Sequence, residues 1–415
     1  MEKKKLVIAT ETFPYGKGEK PFLIPELEKL AEHFDITVCS HANKQQYADT
    51  ENETILDDRI QVVNIDVTLG IGKRILYFIK YFLDKDGWLE IRDILSGKEQ
   101  IINRIYQSVA YYALAMENLS VMKQKGVLTD NTIYYSFWCY YYTYSWSKYK
   151  KKLRQAKLVT RAHGFDLYNE RYSGNRQPFK KIVTKNLDKI FFVSEAGKEY
   201  YQRNFDSGIE EKGCVCSLGS KTLEAVEHGK NNAIFTMVSC SNVIPLKRIE
   251  RIIEALATLE QEQIQWIHFG DGEQRNDILQ YAKKLLDKKT NIHYEFKGEI
   301  NNKEILAFYQ KNAVDCFITT SSTEGMPVSI MEAMSSRIPI IGTCVGGIPE
   351  MIDGNGILIS EKAAIHEVVK AIKDLYYMDR EQCNNMKDNS YRIWKEKFCF
   401  EDNINFFIEE LKKGY

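Results

Sequence analysis

Two carboxylates eight positions apart raise the question of chemistry in this sequence. In "SSTEGMPVSIMEAM", residues 321–334, Glu324 lies just before a proline and Glu332 just after a short apolar run. Pro327 suits the first position of a helix. Glu324 then stands just outside the helix N-terminus, and Glu332 lies about 7–8 Å further along the axis. The main chain of Gly325, Met326, Pro327, Val328 and Ser329 forms that N-terminus, whose outward amides are a ready anion site. A ligand with an anionic centre and hydroxyls at both ends would meet one carboxylate at each end. The plainer alternative is an acid that complements the helix dipole, followed by an ordinary exposed helix glutamate.

Such a loop needs a strand before it and a sheet to hold it. Short apolar runs, "KLVIAT", "FDITVCS", "KLVTRAHG" and "KIFFVS" in the first half, read as buried strands of a parallel sheet. "FLIPELEKLAEHF" places Leu23, Leu27, Leu30 and Phe34 on one helical face. In the second half "AIFTMVSC" leads to a helix over 248–262, "QWIHFG" to one over 275–289, and "IHYEFKG" to one over 302–312. "DCFITTS" then precedes the helix at Pro327, and "IPIIGT" follows it. Strand–helix alternation of this kind predicts α/β architecture, two doubly wound Rossmann-like domains in tandem with a cleft between them. The expected boundaries are 1–225 and 232–395, with a polar linker at 227–232 and an amphipathic helix over 396–415 returning to the first domain. That last helix carries Ile404, Phe407, Ile408 and Leu411 on one stripe.

Length and composition agree with two domains. The chain has 415 residues, 44% of them apolar, and no net formal charge. Neutrality argues against nucleic acid as a partner. Residues 1–225 hold 34 basic and 29 acidic residues, against 23 and 28 beyond them. That imbalance suits an anionic partner for the first half, or is the scatter of a large surface. Nine cysteines without CxxC pairs read as reduced thiols of a cytoplasmic protein. The apolar run after the basic start is too short for a signal peptide, and none is long enough to cross a bilayer. No cluster has metal-ligand spacing.

Other strand-end residues join the two glutamates. His163 follows "KLVTRA" and precedes a glycine and Asp166; Gly16 and Gly18 follow the first strand, where a backbone can approach a ligand closely, with Glu19 and Lys20 next to touch donor or acceptor. Lys247 lies in "SCSNVIPLKRIERII", with Asn242 five residues before it and Arg248 after it. Gly270 belongs to "FGDGE", and Ile300 closes "FKGEI".

Taken together, "EGMPVSIMEA", "PIIGTCVGGIPEMI" with Gly346, Gly347, Pro349 and Glu350, "FGDGE", "FKGEI", "FPYGKGEKPFLIPEL" and "RAHGFDLY" resemble glycosyltransferase family 4 over nearly the whole chain. The resemblance implies a GT-B fold and a retaining transferase that uses a nucleoside diphosphate sugar as substrate, without a cofactor or metal. In the family's terms Glu324 meets the sugar hydroxyls, the helix amides the diphosphate, and Glu332 the ribose. His163 lies beside the transferred sugar, and Lys247 counters the diphosphate charge. Asn242 departs from the family, which usually has arginine there, and Arg248 is the neighbouring cation. The implied acceptor is lipid-linked or an oligosaccharide, in capsular, exo- or O-antigen polysaccharide assembly, with a possible peripheral place on the inner face of the membrane.

Two stretches bear on that acceptor. "IYYSFWCYYYTYSWSKYKKKLRQAK" packs seven tyrosines and two tryptophans beside a basic cluster, and "GKRILYFIKYFLDKDGWLEIRD", 72–93, mixes lysines with aromatics. Both suit a membrane interface, or a large aromatic core beside a solvated face. Two rival readings are a sugar-nucleotide epimerase of the same architecture and a catalytically silent sugar-nucleotide-binding partner of a transferase.

Overall fold

A computed structural model describes residues 3–16, 18–43, 57–97, 99–206, 208–221 and 234–413 of the protein. The linker expected at 227–232 lies outside them. The chain divides into two compact units, Met1–Cys216 with Ile404–Tyr415, and Ser217–Asn403.

The first unit is built on seven strands: β1 (Lys4–Thr10), β2 (Phe34–Ser40), β3 (Ile60–Asn64), β4 (Thr132–Ser136), β5 (Lys157–Ala162), β6 (Lys189–Phe192) and β7 (Gly213–Val215). They pair in parallel in the order β3-β2-β1-β4-β5-β6-β7. Leu6 of β1 stands opposite Ile36 on one side and Ile133 on the other. The second unit has β8 (Phe235–Cys240), β9 (Ile264–Phe269), β10 (Ile292–Gly298), β11 (Cys316–Thr319), β12 (Ile340–Thr343) and β13 (Gly356–Ile359). They too are parallel, in the order β10-β9-β8-β11-β12-β13. Each sheet reverses its strand order once, between β1 and β4 and between β8 and β11. Parallel strands covered on both faces are apolar nearly throughout, which is why these runs were legible.

Local departures have local causes. The helix expected over 248–262 runs only Ile249–Thr258, because Leu259 turns extended and is fully buried. Pro327 is the N-cap and Val328 the first helical residue, one position later than expected. The aromatic stretch 133–149 is core: Tyr134, Tyr142, Tyr144 and Trp146 are buried. Tyr144 stacks on Phe179 at 4.3 Å between ring centres, and its hydroxyl donates to Asp86 at 3.2 Å. For this stretch the membrane alternative is set aside, since its rings are buried except Trp138, Tyr140 and Tyr149, which are half-buried against the core.

The helix Phe400–Lys412 buries Ile404, Phe407, Ile408 and Leu411. Phe407 packs on Tyr135 and Phe191, with ring centres 5.1 and 4.8 Å away. The Arg161 guanidinium lies 4.3 Å from its ring centre and pairs with Glu26 at 2.6 Å, both side chains almost fully buried. Breaking so buried a pair leaves an uncompensated charge, so the helix shields what the sheet cannot solvate. Phe407→Ala is expected to destabilise the first unit by about 3–5 kcal/mol. Urea unfolding followed by tyrosine fluorescence checks this, and an unchanged midpoint contradicts it.

Candidate active site

In the second unit, the loops after β8 and β11 leave the sheet on either side of its reversal, where doubly wound sheets hold ligands. The loop after β8 is stitched to the loop after β9: Ser241 N donates to Phe269 O and Val243 N to Asp271 O, both at 2.9 Å. Gly270 permits this approach. Its φ is +137°, and a Cβ there would stand 1.9 Å from Ser241 O. Asn242 is exposed on this loop. From its far end Lys247 reaches across, its Nζ 2.5 Å from Glu324 Oε1 on the loop after β11.

Arg248 does something other than the sequence suggested. Its backbone is left-handed at φ +49°, which is unfavourable for a bulky residue. Its guanidinium donates to the carbonyls of Thr320 (2.7 Å), Ser321 (2.9 Å) and Glu361 (2.7 Å), and Thr320 Oγ1 donates back to Arg248 O at 2.9 Å. Arg248, read from the sequence as a neighbouring cation near the donor, is therefore committed to clamping the β8 and β11 loops together.

The Glu324 loop is supported from beneath. Gly347 N donates to Gly325 O at 2.8 Å. Gly346 has φ +53°, and a Cβ there would lie 1.9 Å from Glu324 O. Met326 is buried against Gly347, while Pro327, Val328 and Ser329 are half-buried at the start of the helix Val328–Ser335. The first amides of such a helix have no acceptor within it. Glu332, one turn further on, is buried, and Asn302 Nδ2 donates to its Oε1. Burial pushes its carboxyl from 4.5 up to about 7, against the pull of that hydrogen bond. Ile300 is half-buried beyond β10.

The first unit has its own strand-end cluster. Glu19 is buried and accepts from the amides of Glu11 (2.9 Å), Thr12 (2.7 Å) and Phe13 (2.8 Å), and from Trp138 Nε1 (2.7 Å). It was expected to touch a ligand; instead its carboxylate shapes the loop carrying Gly16 and Gly18. Gly16 N bonds Thr12 O at 2.9 Å, and no atom would crowd a Cβ at Gly18. Asp166 plays the same part after β5, accepting from His163 N (2.9 Å), Gly164 N (3.1 Å) and Cys139 N (2.7 Å). His163 is packed against Phe137 and Trp138, with ring centres 4.8 and 4.3 Å away. Its ring nitrogens have no hydrogen-bond partner, Asp166 Oδ2 being 3.9 Å from Nδ1. Burial lowers its pKa and keeps the imidazole neutral near pH 7. A neutral ring with unused nitrogens can donate or accept one bond to a ligand.

Sequence reading passed over Glu11 and Asn302. Burial, and then the charge of Glu19, push Glu11 up to about 7. Neither residue had a local signal, because Asn302 finds Glu332 across thirty residues and the raised carboxyl of Glu11 depends on how it is enclosed and on the charge of Glu19. Among the described residues, no group of three or more His, Cys, Asp or Glu could hold a metal ion.

Residues 220–393, within the second unit, match the family described as glycosyl transferases group 1. The chain is 27% identical over 289 residues to the O-antigen biosynthesis glycosyltransferase WbnH of Escherichia coli, covering 66% of this chain and 75% of that protein. It shares its fold with HepE of Anabaena, solved with UDP and glucose, at TM-score 0.68 and 17% identity over 98% of this chain and 99% of that one. Sucrose-phosphate synthase from Thermosynechococcus elongatus aligns at TM-score 0.70 and 12% identity, over 98% of both chains. The expected GT-B class of two doubly wound domains is the fold observed.

Glu332 gives this site a pH signature. Below pH 4.5 its carboxyl is protonated folded or unfolded, and its burial has no charge cost. Between 4.5 and about 7 only the unfolded chain ionises, so stability falls as pH rises, by up to about 3 kcal/mol in all. Glu332→Gln is expected to flatten that slope and to be the more stable protein above pH 7. Urea midpoints of both proteins across pH 5–8 check this, and parallel curves contradict it.

Proposed function

We propose that the protein is a retaining, metal-independent glycosyltransferase that moves one sugar from a nucleoside diphosphate sugar to a lipid-linked or oligosaccharide acceptor. The carrying observation is the Lys247–Glu324 pair, set at the sheet reversal beside a helix N-terminus. A cation and free amides suit a diphosphate, and an adjacent carboxylate suits sugar hydroxyls. Glu332 takes the ribose hydroxyls and His163 lies near the transferred sugar, while Asn242, Ile300, Gly16 and Gly18 border the donor. Arg248 serves the site indirectly, by holding its loops. The group 1 match and the names of the relatives support a role in surface polysaccharide assembly.

In the proposed reaction the acceptor hydroxyl oxygen bonds to the anomeric carbon on the face the diphosphate leaves. The carbon–oxygen bond to the diphosphate breaks, its electron pair stays on the phosphate oxygen, and the hydroxyl proton passes to that oxygen. No side chain becomes covalently attached. The protein contributes by stabilising charge on the leaving group and by positioning both reactants. Lys247 Nζ can use one hydrogen on Glu324 and still present two to the diphosphate.

Purified protein is expected to release free nucleoside diphosphate from one sugar nucleotide of a panel, with or without chelator. Lys247→Ala should slow that release by roughly 10²-fold or more. Undiminished turnover by a folded Lys247→Ala protein would place the diphosphate elsewhere, and loss of activity to chelator, restored by a divalent ion, would overturn metal independence.

A further inference from the structure

The helix Ile71–Leu83 presents its apolar stripe to solvent. Tyr77 and Tyr81 are its buried side chains and fasten it to the unit, through Glu117 at 2.9 Å and Ser108 at 3.0 Å. On the other side Ile71, Ile75, Phe78, Ile79 and Leu83 recur at helical spacing and are 79, 57, 51, 52 and 79% exposed. Single exposed apolar residues are ordinary, but a stripe of five along one helix is not. Trp88, at the start of the next helix, Lys85–Ser96, is 60% exposed.

The charges around the stripe are sorted. The helix Ile71–Leu83 carries Lys73, Arg74 and Lys80 and no carboxylate. The acids of the following segment are held by cations from elsewhere: Asp84 and Asp86 by Lys148 at 2.7 and 3.0 Å, Glu90 by Arg176, and Asp93 by Arg176 and Lys181 at 2.7 and 2.5 Å. Lys73 pairs with Glu117. Arg74, Lys80, Lys85 and Arg92 are exposed, and among the described residues none pairs with a carboxylate. A basic rim around an apolar stripe complements a layer of lipid with anionic headgroups.

We propose that this face docks on an anionic membrane surface, with Ile71, Ile75, Phe78, Ile79 and Leu83 entering the headgroup boundary and the four cations meeting lipid phosphates. At 13 residues, about 20 Å, the helix is too short to span the hydrocarbon layer and can only lie along it. A second copy of the chain is disfavoured as occupant, because a two-fold contact would set the same cations against one another. The use of such docking, bringing the chain to a lipid-linked acceptor, rests on the proposed function. The docking itself does not.

The test is co-sedimentation of the full chain with phosphatidylcholine vesicles, with and without phosphatidylglycerol, at low and high salt and without nucleotide. Binding is expected to be at least about tenfold tighter with phosphatidylglycerol, at roughly fivefold per engaged cation, and to weaken in salt. A protein combining Ile75→Ser, Phe78→Ser and Ile79→Ser should lose at least about tenfold of that binding while unfolding at the same temperature. Lys80→Glu with Lys85→Glu should remove the preference for anionic lipid. Absent binding, equal binding by the triple variant, or a dimer in solution that the triple variant dissolves would each overturn the proposal. Vesicle binding by a protein that transfers no sugar would leave the docking standing and count only against the transferase reading.

Discussion

One ammonium meets one carboxylate between two loops that arise on opposite sides of a strand-order reversal. Holding Lys247 Nζ at 2.5 Å from Glu324 Oε1 demands that the loops after β8 and β11 stay in register. Neither loop is regular enough to do that alone. Arg248 supplies the restraint from inside, accepting a left-handed backbone to reach four carbonyls of its neighbours. Gly346 supplies it from below, by letting the loop after β12 touch the Glu324 main chain. The pair is partly exposed, its side chains 21% and 12% accessible, so its worth to stability is modest. Its consequence is positional: the cation and the acid are already in place beside the first amides of the helix Val328–Ser335.

The first unit builds two of its strand-end loops by the same physical device. A buried carboxylate gathers main-chain amides that would otherwise be unsatisfied: Glu19 after β1, Asp166 after β5. Charge-assisted bonds of this kind are stronger than neutral ones and fix a loop without secondary structure. The groups left without full satisfaction are then conspicuous. His163 keeps both ring nitrogens unbonded, and Glu332 is held near neutrality by burial. At a strand end, where doubly wound sheets hold ligands, such groups can have their bonding completed by a ligand.

The sheets were legible because parallel strands buried on both faces are apolar runs, and β2 and β10 keep the limits read from "FDITVCS" and "IHYEFKG". The strands β3 and β13 were not, being edge strands only partly buried, and β4 was hidden inside the aromatic stretch. Around the site, residue type and position were readable and partners were not. Lys247 and Arg248 are adjacent cations in the sequence, and only the left-handed turn at Arg248 decides that one faces Glu324 and the other the main chain. Glu19 looked like a ligand contact because its chief side-chain partner, Trp138, is 119 residues away. The aromatics of 133–149 and of 72–93 look alike by composition; which set is core depends on β4 entering the sheet and on the helix Ile71–Leu83 lying outside it.

The central claim is that Glu324 and Glu332 read opposite ends of one donor. Calorimetric titration of Glu324→Gln and Glu332→Gln with a nucleoside diphosphate, and then with the matching sugar nucleotide, tests it most directly. The account predicts that Glu324→Gln binds the bare nucleoside diphosphate nearly as the parent does and loses the added affinity of the sugar. It predicts that Glu332→Gln binds both ligands weakly. Parent-like affinity of both variants for both ligands would contradict it and reduce the two glutamates to a helix-dipole acid and a buried neighbour.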